Sequence, residues 1–254
     1  GLCLVVAGVG CFVAQWSALG LAYAYFRMQG SLTKYRRHRA FKLRTMTSTL
    51  RDGLPVAISN LGEGGAYAAA GLLLGFFGAI ALAANQVVHA IGAIMYMLPM
   101  GMTSAVAIRT GQAFGAREFH RLRAISFAAT GIVLAWMGVF SIFLLIFRSD
   151  IAATLSSDPV VIPLASLMFL TVAFSQFADG LQSAALGALR GLVDVRVPTL
   201  ITIVAYWAVG LPAACVLAFT LGFGPNAIWI GYGLGILISA IALAGFSPFG
   251  QVLA

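Results

Sequence analysis

Seven apolar runs, each long enough to cross a bilayer, constrain this sequence more than any other feature. A helix needs about 20 apolar residues to cross the hydrocarbon core of a membrane. The runs predict spans at 3–26, 53–77, 81–108, 125–147, 160–189, 198–222 and 226–246. Only 9% of the residues are charged, against about a quarter in soluble domains. The sequence therefore predicts an all-α membrane protein with about seven transmembrane helices and excludes a water-soluble fold.

Basic residues alternate between rich and poor connections along the chain. The number of Lys and Arg residues is eight in 27–51, none in 78–80, four in 109–124, one in 148–159, two in 190–197 and none in 223–225. Cytoplasmic loops carry an excess of Lys and Arg. We therefore expect a multi-pass protein of the cell inner (plasma) membrane, with membrane lipid as a partner, its N-terminus outside and its C-terminus in the cytoplasm. The net charge of +8 is a topology signal, and no nucleic-acid partner is predicted.

Two acidic residues, Glu63 and Asp179, lie inside predicted spans. Counted from Arg51 and Arg190, both lie roughly 16–18 Å from the cytoplasmic boundary, near the bilayer midplane. An ionised acid there costs about 2.5–3.5 kcal/mol. No Lys or Arg lies inside a predicted span at that depth, and His89 lies nearer the outer side. A proton-titrating or cation-binding pair is therefore predicted, and the alternative is a pair of protonated, purely structural acids.

Polar residues in three spans recur at the spacing that places them on one helix face. The stripes are Ser175, Asp179 and Gln182; Asn60, Glu63 and Tyr67; and Gln86 with His89. Such stripes in an apolar bundle predict an interior cavity rather than a lipid-facing surface. For His89 alone, a structural role is favoured.

Residues 54–116 resemble the seventh and eighth helices of multidrug and toxic compound extrusion (MATE) transporters. The shared pattern is a Pro at the helix start, an intramembrane Glu, A-x-Q, M-x-P-x-G and R-x-G-Q-x-x-G. It is formed here by Pro55, Glu63, Ala84 and Gln86, Met97 with Pro99 and Gly101, and Arg109 with Gly111, Gln112 and Gly115. Residues 179–199 resemble the tenth helix and its following loop, and 205–212 and 227–235 resemble the eleventh and twelfth helices.

The resemblance implies the C-terminal lobe of a MATE-type two-lobe transporter, nearest the bacterial NorM-type branch. Residues 1–26 would be a helix linking from a missing N-terminal lobe of the same protein, which is then an expected partner. Residues 27–51 would be a basic cytoplasmic loop, and 52–254 the six-helix lobe. The 254-residue chain alone is not expected to transport.

The resemblance also implies roles for individual residues. In the NorM-type branch, the acids that match Glu63 and Asp179 are implicated in cation coupling, and both would bind a monovalent cation if the protein is sodium-coupled. Ser175 completes the predicted ion-coupling group. Ser175 stands where some sodium-binding relatives have Tyr, so the choice between Na⁺ and H⁺ as the coupling ion stays open. The substrate-binding candidates are Gln86, Asn60, Tyr67, Gln182 and Asp158.

The predicted function is secondary antiport that exports cationic or amphipathic organic compounds, such as drugs and toxins, in exchange for Na⁺ or H⁺. No other cofactor is expected. A flippase for polysaccharide or lipid-linked precursors of the same fold and a non-transport seven-helix receptor remain alternatives. The sequence contains no Ser/His/Asp set, intramembrane metal cluster or P-loop, and an enzyme is not predicted.

Overall fold

The computed structural model describes residues 2–28, 43–192 and 195–246, which are almost entirely helical. The helices are α1 (Leu2–Met28), α2 (Leu43–Gly75), α3 (Ala79–Gly115), α4 (Phe119–Leu155), α5 (Val161–Gly191), α6 (Arg196–Thr220) and α7 (Asn226–Phe246). The chain forms two compact units, residues 1–47 and 48–254. The first contains α1, and the second contains most of α2 and all of α3 to α7.

Six helices among the described residues are long and apolar enough to cross a membrane, and α2 is not one of them. Asn60, Glu63 and several glycines lower the hydropathy of α2. Its apolar side chains nevertheless enter the main core, where Ala66, Ala70 and Leu74 are fully buried. The prediction of an all-α, multi-pass membrane protein is confirmed.

Helix boundaries differ from the predicted spans. Most of the basic connection, 29–42, lies outside the described residues, but α2 begins at Leu43 instead of residue 53. Likewise α3 continues to Gly115 and α4 begins at Phe119, beyond the predicted ends at 108 and 125. Charged residues mark the edge of the hydrocarbon layer but do not stop a helix, so hydropathy shortens helices that extend into the interface.

The central helix of the second unit is α5, which packs between α3 and α4 and also contacts α7. Nearly every residue from Gln182 to Leu189 is buried, and most of these residues are small. Small residues let membrane helices approach closely. At the α3–α5 crossing a Cβ added to Gly187 would lie 2.7 Å from the carbonyl oxygen of Thr103, so no side chain fits there.

Helix α6 is irregular, with π-helical turns at Val204–Gly210 and Val216–Thr220. Pro212 lies between them and lacks the N–H that a regular helix would use. At the crossing with α7, a Cβ on Gly235 would lie 2.9 Å from the carbonyl oxygen of Ala205. The contact brings the rings of Tyr206 and Tyr232 to 5.3 Å between centroids.

Two hydrogen bonds connect α6 to α2. The indole N–H of Trp207 donates to the carbonyl oxygen of Gly62 at 2.9 Å. The Thr199 hydroxyl shares its proton between the carbonyl oxygen of Pro55, at 3.0 Å, and that of Val195 one turn earlier, at 2.6 Å. These bonds attach the least apolar helix to the bundle and fix the face of α2 that carries Glu63.

Replacing Gly187 by Ala is expected to destabilise the protein by about 1–3 kcal/mol, because the added methyl group meets the backbone of α3. Gly131→Ala is the matched control, since a Cβ at this position in α4 meets nothing within 4 Å. Thermal unfolding of the detergent-solubilised protein measures both. Equal melting temperatures for Gly187→Ala and Gly131→Ala would show that α3 and α5 leave room for a methyl group where they cross.

Candidate functional site: a polar cavity in the helix bundle

A cavity of about 700 Å³ lies among α2, α3, α5, α6 and α7. Its polar lining comprises Asn60, Glu63, Tyr67, His89, Tyr96, Thr103, Ser104, Ser175, Gln176, Asp179, Gln182, Ser183, Arg190, Tyr206, Trp229 and Tyr232. Met97 and Met100 also line it and are 67% and 59% exposed, so the cavity is open along that part of α3. The predicted polar stripes of α2 and α5 therefore do face a common interior space.

The two predicted intramembrane acids, Glu63 on α2 and Asp179 on α5, both line this cavity and interact electrostatically. The Tyr96 hydroxyl donates a long hydrogen bond, 3.4 Å, to Oε1 of Glu63. Among the described residues, no hydrogen bond reaches the Asp179 carboxylate. Two carboxylates with so few protein partners leave oxygen atoms available for a proton, a cation or a cationic ligand.

A basic side chain enters the cavity, which the sequence analysis did not predict. In the sequence Arg190 only marks the cytoplasmic end of the predicted fifth span. In the structure its Nη2 donates a hydrogen bond to Oδ1 of Asn60 at 3.0 Å, and its charge interacts with that of Glu63. Helix side chains lean toward the helix N-terminus, which on α5 is the direction of Asp179. The guanidinium does not form a direct ion pair with either acid. The ion pair that the described residues do form within 4.0 Å, between Arg121 and Glu118, lies outside the cavity.

Four further candidates, Asn60, Tyr67, Ser175 and Gln182, also line the cavity. Gln182 is only 2% exposed, and its amide Nε2 donates to the Tyr206 hydroxyl at 3.0 Å. The Ser175 hydroxyl donates to the carbonyl oxygen of Val172 at 3.0 Å. Gln182 and Ser175 thus already have hydrogen-bond partners within the protein, whereas Tyr67 contributes its aromatic ring to the cavity wall.

The structure does not bring Gln86 or Asp158 into the cavity. Gln86 is exposed on α3, two residues before Val88, where the part of that helix that lines the cavity begins. Asp158 is exposed in the α4–α5 connection, where its Oδ1 accepts a hydrogen bond from the backbone N–H of Val160 at 2.8 Å. Asp158 therefore stabilises the turn before α5. Neither residue lines this cavity, and their role as substrate contacts stays a prediction.

An aromatic cluster at the cavity wall was not predicted as part of the site. The ring of Tyr67 lies 5.4 Å from that of His89, 5.5 Å from Trp229 and 6.0 Å from Tyr232, measured between centroids. Trp229 and Tyr232 belong to the motif at 227–235, but the motif by itself assigned them no role. His89 was favoured as structural, and it both lines the cavity and packs on Tyr67.

Two buried polar atoms in the wall have no hydrogen-bond partner among the described residues. They are Oε1 of Gln176 and Nε1 of Trp229. Buried polar groups are nearly always paired with protein or water. Both atoms are buried in the wall, so neither is exposed to the open space of the cavity in this structure.

Acidic and aromatic side chains therefore line an open cavity within a bundle of helices, most of which are long and apolar enough to cross a membrane. Residues 55–216 match the MatE family. The chain belongs to that family, as the sequence resemblance predicted, and is not an enzyme.

The chain is 37% identical over 194 residues to "Probable multidrug resistance protein NorM" of Xylella fastidiosa (strain 9a5c), covering 76% of this chain and 41% of the relative. It is 32% identical to "Multidrug resistance protein MdtK" of Edwardsiella ictaluri (strain 93-146), covering 93% and 54%. The chain thus spans about half the length of the curated relatives that it matches.

Solved structures share the fold. The eukaryotic MATE transporter AtDTX14 superposes with a TM-score of 0.85 at 22% identity, covering 95% of this chain and 53% of the other. A mutant of the Vibrio cholerae MATE transporter VcmN superposes with a TM-score of 0.75 at 21% identity, covering 83% and 47%. At this identity the likeness establishes the fold alone.

Tyr206→Phe is expected to destabilise the protein by about 1–3 kcal/mol, because the Gln182 amide would remain buried without a partner. Tyr25→Phe is the control, since Tyr25 is 66% exposed on α1. The readout is the thermal unfolding temperature in detergent. A second variant, Gln182→Leu in the Tyr206→Phe background, should recover part of the loss, because both polar groups are then removed. Equal melting temperatures for Tyr206→Phe and Tyr25→Phe would contradict the assigned bond.

Proposed function

We propose that the protein of which this chain forms one lobe is a secondary antiporter that exports cationic or amphipathic organic compounds in exchange for Na⁺ or H⁺. The observation that carries this proposal is the shared cavity position of Glu63 and Asp179. The relatives' names, which refer to multidrug resistance, support the substrate class.

The coupling ion acts through charge. With both acids ionised, two negative charges face the cavity, and among the described lining residues Arg190 is the one guanidinium that opposes them. The site therefore attracts a positively charged compound. A bound proton or cation removes that attraction. A ligand shifts a conformational equilibrium only through its different affinity for the two states. Ion and substrate compete for the same carboxylates, and exchange follows if each binds more tightly in a different conformational state.

The proposed ion-coupling group consists of Glu63 and Asp179, with Ser175 one turn before Asp179. Hard cations take oxygen ligands, and the carboxylate oxygens, with the Tyr96 hydroxyl beside Glu63, supply them for Na⁺. Protonation of the same carboxylates would serve H⁺ coupling. Arg190 interacts with Glu63, which gives the two acids different surroundings.

The proposed substrate surface consists of Asn60, Tyr67 and the aromatic rings around Tyr67. Aromatic faces attract organic cations by about 0.5–2 kcal/mol. Met97 and Met100, exposed in the same cavity, offer flexible apolar contacts for compounds of different shape. Alternating access then requires the N-terminal lobe, because the cavity is open along α3 and one lobe cannot close it.

The distribution of basic residues supports an orientation with the N-terminus of this chain outside and its C-terminus in the cytoplasm. The alternative of a flippase for phosphate-bearing precursors gains one basic residue, Arg190, in the cavity. The two acids still outnumber it, so the cavity suits a cation better than a phosphate.

Glu63→Gln and Asp179→Asn are each expected to lower ion-driven efflux, because each removes a carboxylate that couples ion binding to substrate binding, an effect of roughly 5- to 150-fold on affinity. The assay uses the full-length protein in liposomes, driven by a Na⁺ gradient at fixed pH or by a pH gradient without Na⁺. Glu118→Gln and Asp150→Asn make the same chemical changes outside the cavity and should leave efflux intact. Unchanged efflux in both cavity variants would refute the proposed mechanism.

The 254-residue chain alone is expected to show no ion-driven efflux in liposomes, because the open cavity has no second lobe to close it. The comparison is the full-length protein at the same protein-to-lipid ratio, with helicity measured to confirm that both are folded. Coupled efflux by the shorter chain would show that a single lobe suffices.

A further inference from the structure

A groove of about 420 Å³ runs between α2 and α6, separate from the central cavity. Its α2 wall is formed by Arg51, Leu54, Pro55 and Ile58. These residues stand at i, i+3, i+4 and i+7, so they share one helix face. The stripe begins with a cation and continues with apolar side chains.

The α6 wall repeats this pattern with Arg196, Thr199, Leu200 and Ile203. The spacing is the same, and again the arginine comes first. Hydrogen bonding of the Thr199 hydroxyl to the carbonyl oxygen of Pro55, at 3.0 Å, joins the two walls. The groove is thus a built feature with paired arginines at one end and apolar walls beyond them.

The two arginines are available for an external anion. Arg51 and Arg196 are both exposed, and within the ranges that the structure describes neither forms a hydrogen bond or ion pair. Guanidinium groups match phosphate geometry and bind it through two parallel hydrogen bonds. The charged end of the groove is therefore complementary to a phosphate group.

The apolar walls require a hydrocarbon occupant. Leu54 and Leu200 are 54% and 65% exposed, and Ile58 is 42% exposed. An inorganic phosphate ion would contact only the arginines and leave these side chains uncovered. A molecule with an anionic phosphate at one end and an acyl chain at the other would cover the whole groove.

We propose that this groove binds an anionic phospholipid, with its headgroup phosphate between Arg51 and Arg196 and an acyl chain along Leu54, Ile58, Leu200 and Ile203. The lipid supports the α2–α6 contact from outside. The site does not depend on which compound the protein transports.

The test is native mass spectrometry of the full-length protein in detergent, titrated with dioleoyl phosphatidylglycerol. Arg51→Gln and Arg196→Gln should each weaken binding about five-fold, since a basic residue near an anionic lipid contributes on the order of a five-fold affinity change. Arg123→Gln is the matched control, because Arg123 is an exposed arginine predicted on the same membrane side but outside the groove. Its affinity should equal that of the unchanged protein.

Two further arms separate headgroup from tail. Dioleoyl phosphatidylcholine has a neutral headgroup, and its binding should not respond to Arg51→Gln or Arg196→Gln. Glycerol phosphate, which has no tail, should not displace the lipid, and Leu200→Ser should weaken phosphatidylglycerol binding. The proposal is overturned if both groove arginine variants bind phosphatidylglycerol as tightly as Arg123→Gln does, or if glycerol phosphate competes fully.

Discussion

The cost of placing carboxylates inside a membrane governs the architecture of this chain. An ionised acid near the bilayer centre costs about 2.5–3.5 kcal/mol, and Glu63 and Asp179 impose that cost from two different helices. Both acids face one cavity, and α2, α3, α5, α6 and α7 surround it. Polar and aromatic side chains line that space, so the two acids lie in more polar surroundings than the lipid would provide. The bundle around the cavity must be rigid enough to keep these groups facing inward.

Close helix contacts provide that rigidity. Gly187 lets α5 approach α3, and Gly235 lets α7 approach α6. Gly235 approaches the first π-helical turn of α6. The buried Tyr206 hydroxyl, on the same turn, is hydrogen-bonded to Gln182 across the α5–α6 interface. Packing between small residues and the buried Gln182–Tyr206 pair therefore hold the cavity wall, whereas Glu63 and Asp179 have few protein partners among the described residues.

Arg190 changes the electrostatic description of the site. Two acids alone would form a purely negative cavity, and one arginine makes it an asymmetric group of three charges. The Arg190 side chain donates a hydrogen bond to Asn60 and forms no direct ion pair with Glu63. Its positive charge therefore acts on the Glu63 carboxylate from a distance. The two acids therefore have unequal electrostatic surroundings.

The sequence by itself determined the class of protein, the helices and the faces on which Glu63, Tyr67, Asp179 and Gln182 lie. Length, hydropathy and helical spacing are local properties, and they are encoded within each span. Only the tertiary structure decided which faces meet. It brought Arg190 inward, left Gln86 and Asp158 outside the cavity, and gathered Trp229 and Tyr232 around Tyr67. The reason is that helix tilt, crossing distance and side-chain direction depend on contacts between spans, and no single span contains that information.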